Sequence, residues 1–373
     1  MNRVLNSIFN TKKYARSIAN NTPYELSQRF IKIYNSKASS LQNNKRSLII
    51  VPGYSVDNPP RIGHHLYYIN ALKFDSITNP LGYHRIYLFD IYSKKDGRCN
   101  FQLDIPQLVE ELMISIDTAR DNWNFEENGE VDIIGASMGG LIVRKFIQEK
   151  MIGNNLLPTT KWGTLHIQNI LLISTPNYGC KIIDLIQNPF IQIVLRIMFG
   201  KNNFSKSEQF QQIGVGNTSF FGKILSKIFR KKTSDNQFLK ELNAQNPTPG
   251  TVRWITLRGT KSQIFSNFIY NKKIPNDGVV EADRVILNGA ENICDIDLGS
   301  KTAWNHRDLY MANDVCNLLF GLLALNLQLN EYLKLLNLEE ITDEKSNIIT
   351  RRKLFDEYSV SSRKPVAIIN EKI

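Results

Sequence analysis

The chain has 373 residues, 42% of them apolar, and a formal net charge of +11. Such a composition belongs to a globular, soluble chain that can bury a large core, as one large domain or two smaller ones. Four cysteines at 99, 180, 294 and 316 are too far apart for a metal-binding spacing or a disulfide framework, and no zinc-finger, RNP-type or basic-helix signature links the basic charge to nucleic acid.

The N-terminal stretch "MNRVLNSIFNTKKYARSIANN" lacks the apolar core and small-residue cleavage site of a secretory signal. The first strong element is "RSLIIVPGYS", an apolar run ending in Pro52-Gly53, which predicts a buried strand and then a loop. "HRIYLFDIYS" at 84–93 predicts a second strand. Residues 104–121 carry helical periodicity, with Pro106 near the start, where its fixed φ is tolerated. "GEVDIIGAS" predicts a third strand, and 138–150 the next helix. "LHIQNILLIST" at 165–175 and "TVRWITLRGT" at 251–260 predict a fourth and a fifth strand. Strands alternating with helices over this length imply an α/β fold, a mainly parallel sheet covered on both faces.

The interval 181–245 breaks the rhythm. Within 181–235 there are nine Lys/Arg against three Asp/Glu, mixed with the apolar clusters "FIQIVLRIMF" and "SFFGKILSKIF". This pattern is expected of an insertion lying over the C-terminal edge of the sheet, either as a lid on an apolar slot or as a small satellite core. The most apolar stretch, 182–200, contains Asp184, Pro189 and Arg196, so it reads as amphipathic and not as a membrane span. Residues 314–340 predict one or two strongly apolar helices. Residues 341–373 are charged and irregular, like a tail. The expected organisation is therefore an N-terminal segment at 1–46, a catalytic domain at 47–340 with an insertion at about 181–245, and a C-terminal tail at 341–373.

The run "VDIIGASMGGLIVRKF" sets Ser137 at a strand-to-helix corner. Gly135 and Gly139 remove side chains that would collide with the adjoining strand and helix, and the helix starting near Met138 points free N–H groups outward. The alternatives are a nucleophile and an ordinary turn serine. A nucleophilic hydroxyl needs a base and an oxyanion site. Of the five histidines, 64, 65 and 84 precede the serine and His166 starts a strand, whereas His306 lies after the fifth strand in the polar loop "TAWNHRDLYM". His306 is the candidate base; as a bland alternative it caps the helix that follows. Asp277, in "IPNDGVVEAD", is the candidate orienting acid, with Glu281, Asp283, Asp295 and Asp297 as fallbacks. The order Ser, Asp, His along the chain is that of an α/β-hydrolase.

With these residues in place, the chain resembles the α/β-hydrolase superfamily, within it the triacylglycerol-lipase-like serine esterases, with similarity to inositol-deacylase and lecithin–cholesterol-acyltransferase relatives. The likeness is carried by "LIIVPGYS", "IIGASMGG", "LLISTPNYG", "NDGVV" and "NHRDL", spanning about residues 47 to 325. It implies Ser137 as nucleophile, Asp277 as acid, His306 as base, and the backbone N–H groups of Tyr54 and Met138 as oxyanion donors. Where the family often has His-Gly in the oxyanion loop, this chain has Pro52-Gly53, as the inositol-deacylase relatives do. Some lipases of the group bind calcium through an acid two residues past the histidine. Asp308 stands there, but 251–276 holds no Asp or Glu to pair with it. No metal and no cofactor are therefore expected. The implied activity is carboxylester hydrolysis on lipid-like substrates, with phospholipids included and acyl transfer or mere binding as the alternatives. The expected setting is cytoplasmic, with peripheral contact on an anionic membrane surface.

Overall fold

The structure is a computed structural model. It describes residues 30–35, 46–53, 69, 72, 82–83, 85–89, 103–123, 129–153, 155–159, 163–181, 236–262, 274–298, 303–306 and 308–336. Its centre is an eight-stranded sheet of β1 (Phe30–Asn35), β2 (Ser47–Val51), β3 (Arg85–Phe89), β4 (Glu130–Ala136), β5 (Leu156–Thr159), β6 (Gly163–Ile173), β7 (Arg253–Arg258) and β8 (Glu291–Cys294). The order across the sheet is β1-β3-β2-β4-β6-β7-β8, with β5 paired to β6 beside this path. The pairs from β3 through β8 are parallel; β1 on β3 and β5 on β6 are antiparallel.

The apolar-rich strands foreseen in the sequence send side chains into cores on both faces. Along β2, Ile49 and Val51 enter one core while Leu48 and Ile50 enter the other, and β4 alternates likewise with Val131 and Ile133 against Ile134 and Ala136. On the first face lie α1 (Ile105–Trp123), α2 (Met138–Lys150) and α3 (Gln237–Ala244). Helix α1 presents Ile105, Leu108, Val109, Leu112 and Ile116 at helical spacing. It starts on a reciprocal capping box, in which the Gln107 N–H donates to Asp104 Oδ1 (2.8 Å) and the Asp104 N–H donates to Gln107 Oε1 (3.0 Å). The short α4 (Ala282–Val285) follows β7. The second face is covered by α5 (Asp308–Met311), α6 (Asn313–Leu319), a π-helical turn at Phe320–Ala324, and α7 (Leu329–Leu336).

Residues 182–235, most of the expected insertion, lie outside the described residues, as do the tail at 341–373 and much of 1–46. Within the end of the expected insertion, α3 sends Leu239 and Leu242 into the first core. From the N-terminal segment, β1 joins the sheet. No helix among the described residues is long and apolar enough to cross a membrane.

The strand order reverses at one place. From β2 the chain passes to β3 on one side, and from β4 it passes to β6 on the other. Loops leaving the C-terminal ends of β2 and β4 therefore diverge, opening the crevice where sheets of this kind bind ligands.

Candidate active site

Ser137 stands at that crevice, one residue past β4. Its backbone is at φ 50 and ψ −124, a strained corner for a residue with a side chain. Two main-chain bonds hold the corner: the Ser137 N–H donates to the Ile173 carbonyl (2.7 Å), and the Gly140 N–H donates to the Ser137 carbonyl (3.0 Å). The neighbouring glycines are needed for close approach. A Cβ on Gly135 would sit 2.6 Å from the Cα of Gly140, and one on Gly139 would run into the Val51 and Pro52 carbonyls at the end of β2. Helix α2 can start here only because its first turn carries no side chain toward either strand.

Ser137 is partly exposed, and among the described residues its hydroxyl makes no hydrogen bond, to His306 or to any other group. Met138, the first residue of α2, has a backbone N–H with no acceptor in its own helix, as every helix start does. Its side chain is buried. The loop after β2 lies against the serine: a Cβ on Gly53 would be 2.7 Å from Ser137 Cβ. Tyr54, the other expected oxyanion donor, lies outside the described residues.

Asp277 follows β7 in a turn that closes on itself. Its Oδ1 accepts from the N–H groups of Val279 (2.9 Å) and Val280 (2.8 Å), and its own N–H donates to the Val280 carbonyl (3.2 Å). Gly278 provides the left-handed step in this turn at φ 98. Oδ2 faces His306 Nδ1 at 2.8 Å, and the His306 N–H donates to the Asp277 carbonyl (2.7 Å), so the two residues are joined by side chain and backbone. The Asp277 side chain is 2% exposed and that of His306 is 20%, so the acid is sealed in while the imidazole keeps an open edge. Burial on its own pushes the Asp277 carboxyl up. The His306 charge, with hydrogen bonds from His306, Ser174 and the Val280 N–H, outweighs it and holds the carboxyl below its ordinary value.

His306 sits inside a second reciprocal cap. The Asp308 N–H donates to Asn305 Oδ1 (2.9 Å) and the Asn305 N–H to Asp308 Oδ2 (3.3 Å), which opens α5. Asp308, the residue at the calcium-type position, is engaged in this cap and lies 3.4 Å from Lys261 Nζ. Two residues before His306, buried Trp304 anchors the loop: its N–H donates to Asp295 Oδ2 (2.6 Å) and its indole to Asp314 Oδ2 (2.7 Å). Tyr310 packs edge-on against the imidazole, with ring centroids 5.7 Å apart.

The fallback acids are placed elsewhere. Asp295 is taken up by Thr260 and Trp304, buried Glu281 is paired with Lys181 and Arg284, Asp283 is exposed, and the Asp297 side chain lies outside the described residues. His166 belongs to the opposite end of the sheet, where its N–H bonds the Gly129 carbonyl, and His64, His65 and His84 lie outside the described residues.

One residue of this cluster was not foreseen. Ser174, directly after β6, donates its hydroxyl to Asp277 Oδ2 and has its Oγ 3.1 Å from His306 Nδ1. It reads as a turn residue ahead of Thr175-Pro176. The signal that could have found it is the one that flags Ser137, a small polar residue closing an otherwise apolar strand. The segment after it is braced by Arg144 of α2, a buried cation whose Nη1 donates to Asn177 Oδ1 (3.2 Å) and Nη2 to Asn243 Oδ1 (2.9 Å). Burial lowers this guanidinium to about 10.

No protein-family model and no curated protein matches the chain. Solved structures similar to it include the mature lipase BlEst2 of Bacillus licheniformis (14% identity, 79% of this chain and 97% of that one, TM-score 0.43). Lipase B of Aspergillus fumigatus is similar at 13% identity, over 90% and 67%, with a TM-score of 0.45. Phospholipase PlaB of Legionella pneumophila matches at 13% identity over 65% of this chain and 45% of its own, with a TM-score of 0.36. Identities and scores this low lend the likenesses no weight. What characterises the protein is its own mainly parallel sheet, covered by helices on both faces, with Ser137, Asp277 and His306 all on loops leaving C-terminal strand ends.

Proposed function

We propose that the chain is a serine carboxylester hydrolase of the α/β-hydrolase type, acting on lipid-like esters, with Ser137, His306 and Asp277 as nucleophile, base and orienting acid. The observation that carries this reading is the 2.8 Å contact between a sealed Asp277 carboxylate and the Nδ1 of a partly open His306. A carboxylate on Nδ1 fixes the proton there and leaves Nε2 as the acceptor. A strained serine corner at the switch point of the same sheet edge supplies the hydroxyl to be activated.

In this reaction Ser137 Oγ attacks the ester carbonyl carbon as its proton passes to His306 Nε2. The carbonyl electrons move onto oxygen, which the Met138 N–H receives, joined by the Tyr54 N–H. Collapse of the tetrahedral adduct breaks the bond to the alcohol, which leaves with the proton from His306. Water then attacks the acyl-enzyme with His306 again taking a proton, and the acid departs as Ser137 is restored. Each tetrahedral adduct puts a cation on the imidazole, and the ionised Asp277 stabilises it. No step calls for a cofactor or metal.

The basic, apolar insertion at 181–235 is proposed as the lid over the acyl slot and as the contact with anionic lipid at the surface of a cytoplasmic membrane. Each Lys or Arg near such a surface contributes about 1 kcal/mol. Activity toward long-chain esters is then expected to rise above the micellar threshold and to fall with salt on anionic vesicles; flat kinetics in both would remove the lid.

The decisive test is labelling with a fluorophosphonate probe beside a panel of p-nitrophenyl esters and amides. The wild-type protein is expected to label and to cleave esters, and Ser137→Ala to do neither. A wild-type protein that does not label sinks the enzyme reading. Product analysis with added alcohol separates hydrolysis from acyl transfer.

A further inference from the structure

A carboxylate offers about four acceptor positions, and in Asp277 all of them are filled. Two backbone N–H groups occupy Oδ1, while the His306 imidazole and the Ser174 hydroxyl occupy Oδ2. Ser174 also places its Oγ 3.1 Å from His306 Nδ1, so this nitrogen has both the carboxylate and the serine oxygen within hydrogen-bond distance. Ser174 is fully buried and cannot meet a substrate. Its backbone is held at φ 49, a conformation that glycine would adopt with less strain. What serine adds at this position is a hydroxyl, and both bonds of that hydroxyl go to the acid and the base.

From this geometry we infer that Ser174 is a positioning residue for the reaction proposed above, clamping Asp277 and His306 into the single arrangement that leaves Nε2 as the base. The clamp supports the rate through shape, and its effect on charge is a separate, opposing one that the pH profile reads. A hydroxyl donating to Oδ2 draws negative charge off the carboxylate and weakens its hold on a protonated imidazole. It also sets the plane of the ring, because Nδ1 has two fixed partners in place of one. The other groups facing the cluster among the described residues are Tyr310, edge-on to the ring, and Asp308, occupied by the Asn305 N–H and Lys261. Neither touches Oδ2. The inference depends on the serine-hydrolase reading, and its test separates the two.

The test compares Ser174→Ala and Ser174→Gly with the wild-type protein on a soluble p-nitrophenyl ester, with kcat, KM and the pH profile of kcat/KM measured for each. Both variants lose the hydroxyl, but only the glycine relieves the backbone strain, so a hydroxyl role predicts the same change in both. The expected result is a kcat lower by about tenfold, the order of one hydrogen bond to a charged group, with KM within about twofold. The acid limb of the profile is expected to move to higher pH in both variants, because the carboxylate then holds the protonated ring more tightly. A purely structural role would lower the amount of folded enzyme and leave the limb where it was. An active wild-type protein whose variants keep both kcat and the acid limb, or whose two variants move in opposite directions, overturns the inference alone. A wild-type protein that neither labels nor cleaves any ester overturns the reaction and the inference together.

Discussion

Ser137 and Ser174 occupy equivalent positions on neighbouring strands and do different things. Each is the first residue after its strand, β4 or β6, and their φ values are 50 and 49. They are linked through the peptide before Ser174, since the Ser137 N–H bonds the Ile173 carbonyl, and the Ser174 N–H in turn bonds the Leu257 carbonyl of β7. What differs is the chain that follows. After Ser137 comes Met138-Gly139-Gly140, which starts a helix at once and leaves the hydroxyl partly exposed with no hydrogen bond among the described residues. After Ser174 comes Thr175-Pro176, which turns away from helix, and its hydroxyl is buried against Asp277 and His306. The strained corner alone therefore does not set a serine's surroundings; the helix start behind it and the open side in front distinguish Ser137 from Ser174.

The largest expected effect breaks this comparison outright. Ser137→Ala should lower ester hydrolysis by about 10⁵-fold or more with the fold intact, as measured by kcat and far-ultraviolet circular dichroism. If activity stays within tenfold of wild type, the nucleophile is elsewhere. Asp277→Asn comes next, at about 10⁴-fold in kcat, because an amide on Nδ1 no longer fixes the tautomer or stabilises the cation. The Ser174 variants, at about tenfold, sharpen the contrast: a hydroxyl that only supports the pair should cost far less than either member of it. Gly139→Ala tests the helix start itself. Its new methyl would meet the Val51 carbonyl, and a loss of about 3 kcal/mol in urea unfolding is expected.

The smallest effect is in acid. The folded-state pKa of Asp277 is depressed, so its contribution to stability is fully present above the unfolded value of about 3.9 and is lost as pH falls through the folded one. The urea midpoints of wild type and Asp277→Asn should therefore differ at neutral pH and converge in strong acid. A gap that widens as pH falls would reverse the sign assigned here.

The strands that lead to Ser137, Ser174 and Asp277 were readable because each is a short apolar run that ends at a glycine, proline or small polar residue; β8, which leads to His306, was not. Helix α2 begins and ends where its periodicity predicts, and α1 differs from its expected span by one or two residues. Three strands were not foreseen, each for its own reason. β5 contains Pro158, which marks it as an edge strand, and it pairs with β6 outside the main order. β8 is only Glu291–Cys294, two of its four residues polar, and becomes a strand by docking on β7. β1, with sequence FIKIYN, lies inside 1–46, which reads as an N-terminal segment with no strand pattern as strong as those that follow. Asp277 and His306 could be picked out by chain order and turn chemistry, and they lie 2.8 Å apart. Ser174 escaped because its role depends on which side of a turn is buried, and only the packing of three strand ends on one another decides that.

The main-chain bonds that tie Ser137 to Ile173, Ser174 to Leu257, and His306 to Asp277 have one more consequence. The first two make the position of Ser137 relative to Ser174 a property of the pleated framework, set by the spacing of neighbouring strands, while the third joins the two long loops that carry Asp277 and His306. The corner at Ser137 is thereby insulated from the length and chemistry of segments that leave the sheet elsewhere.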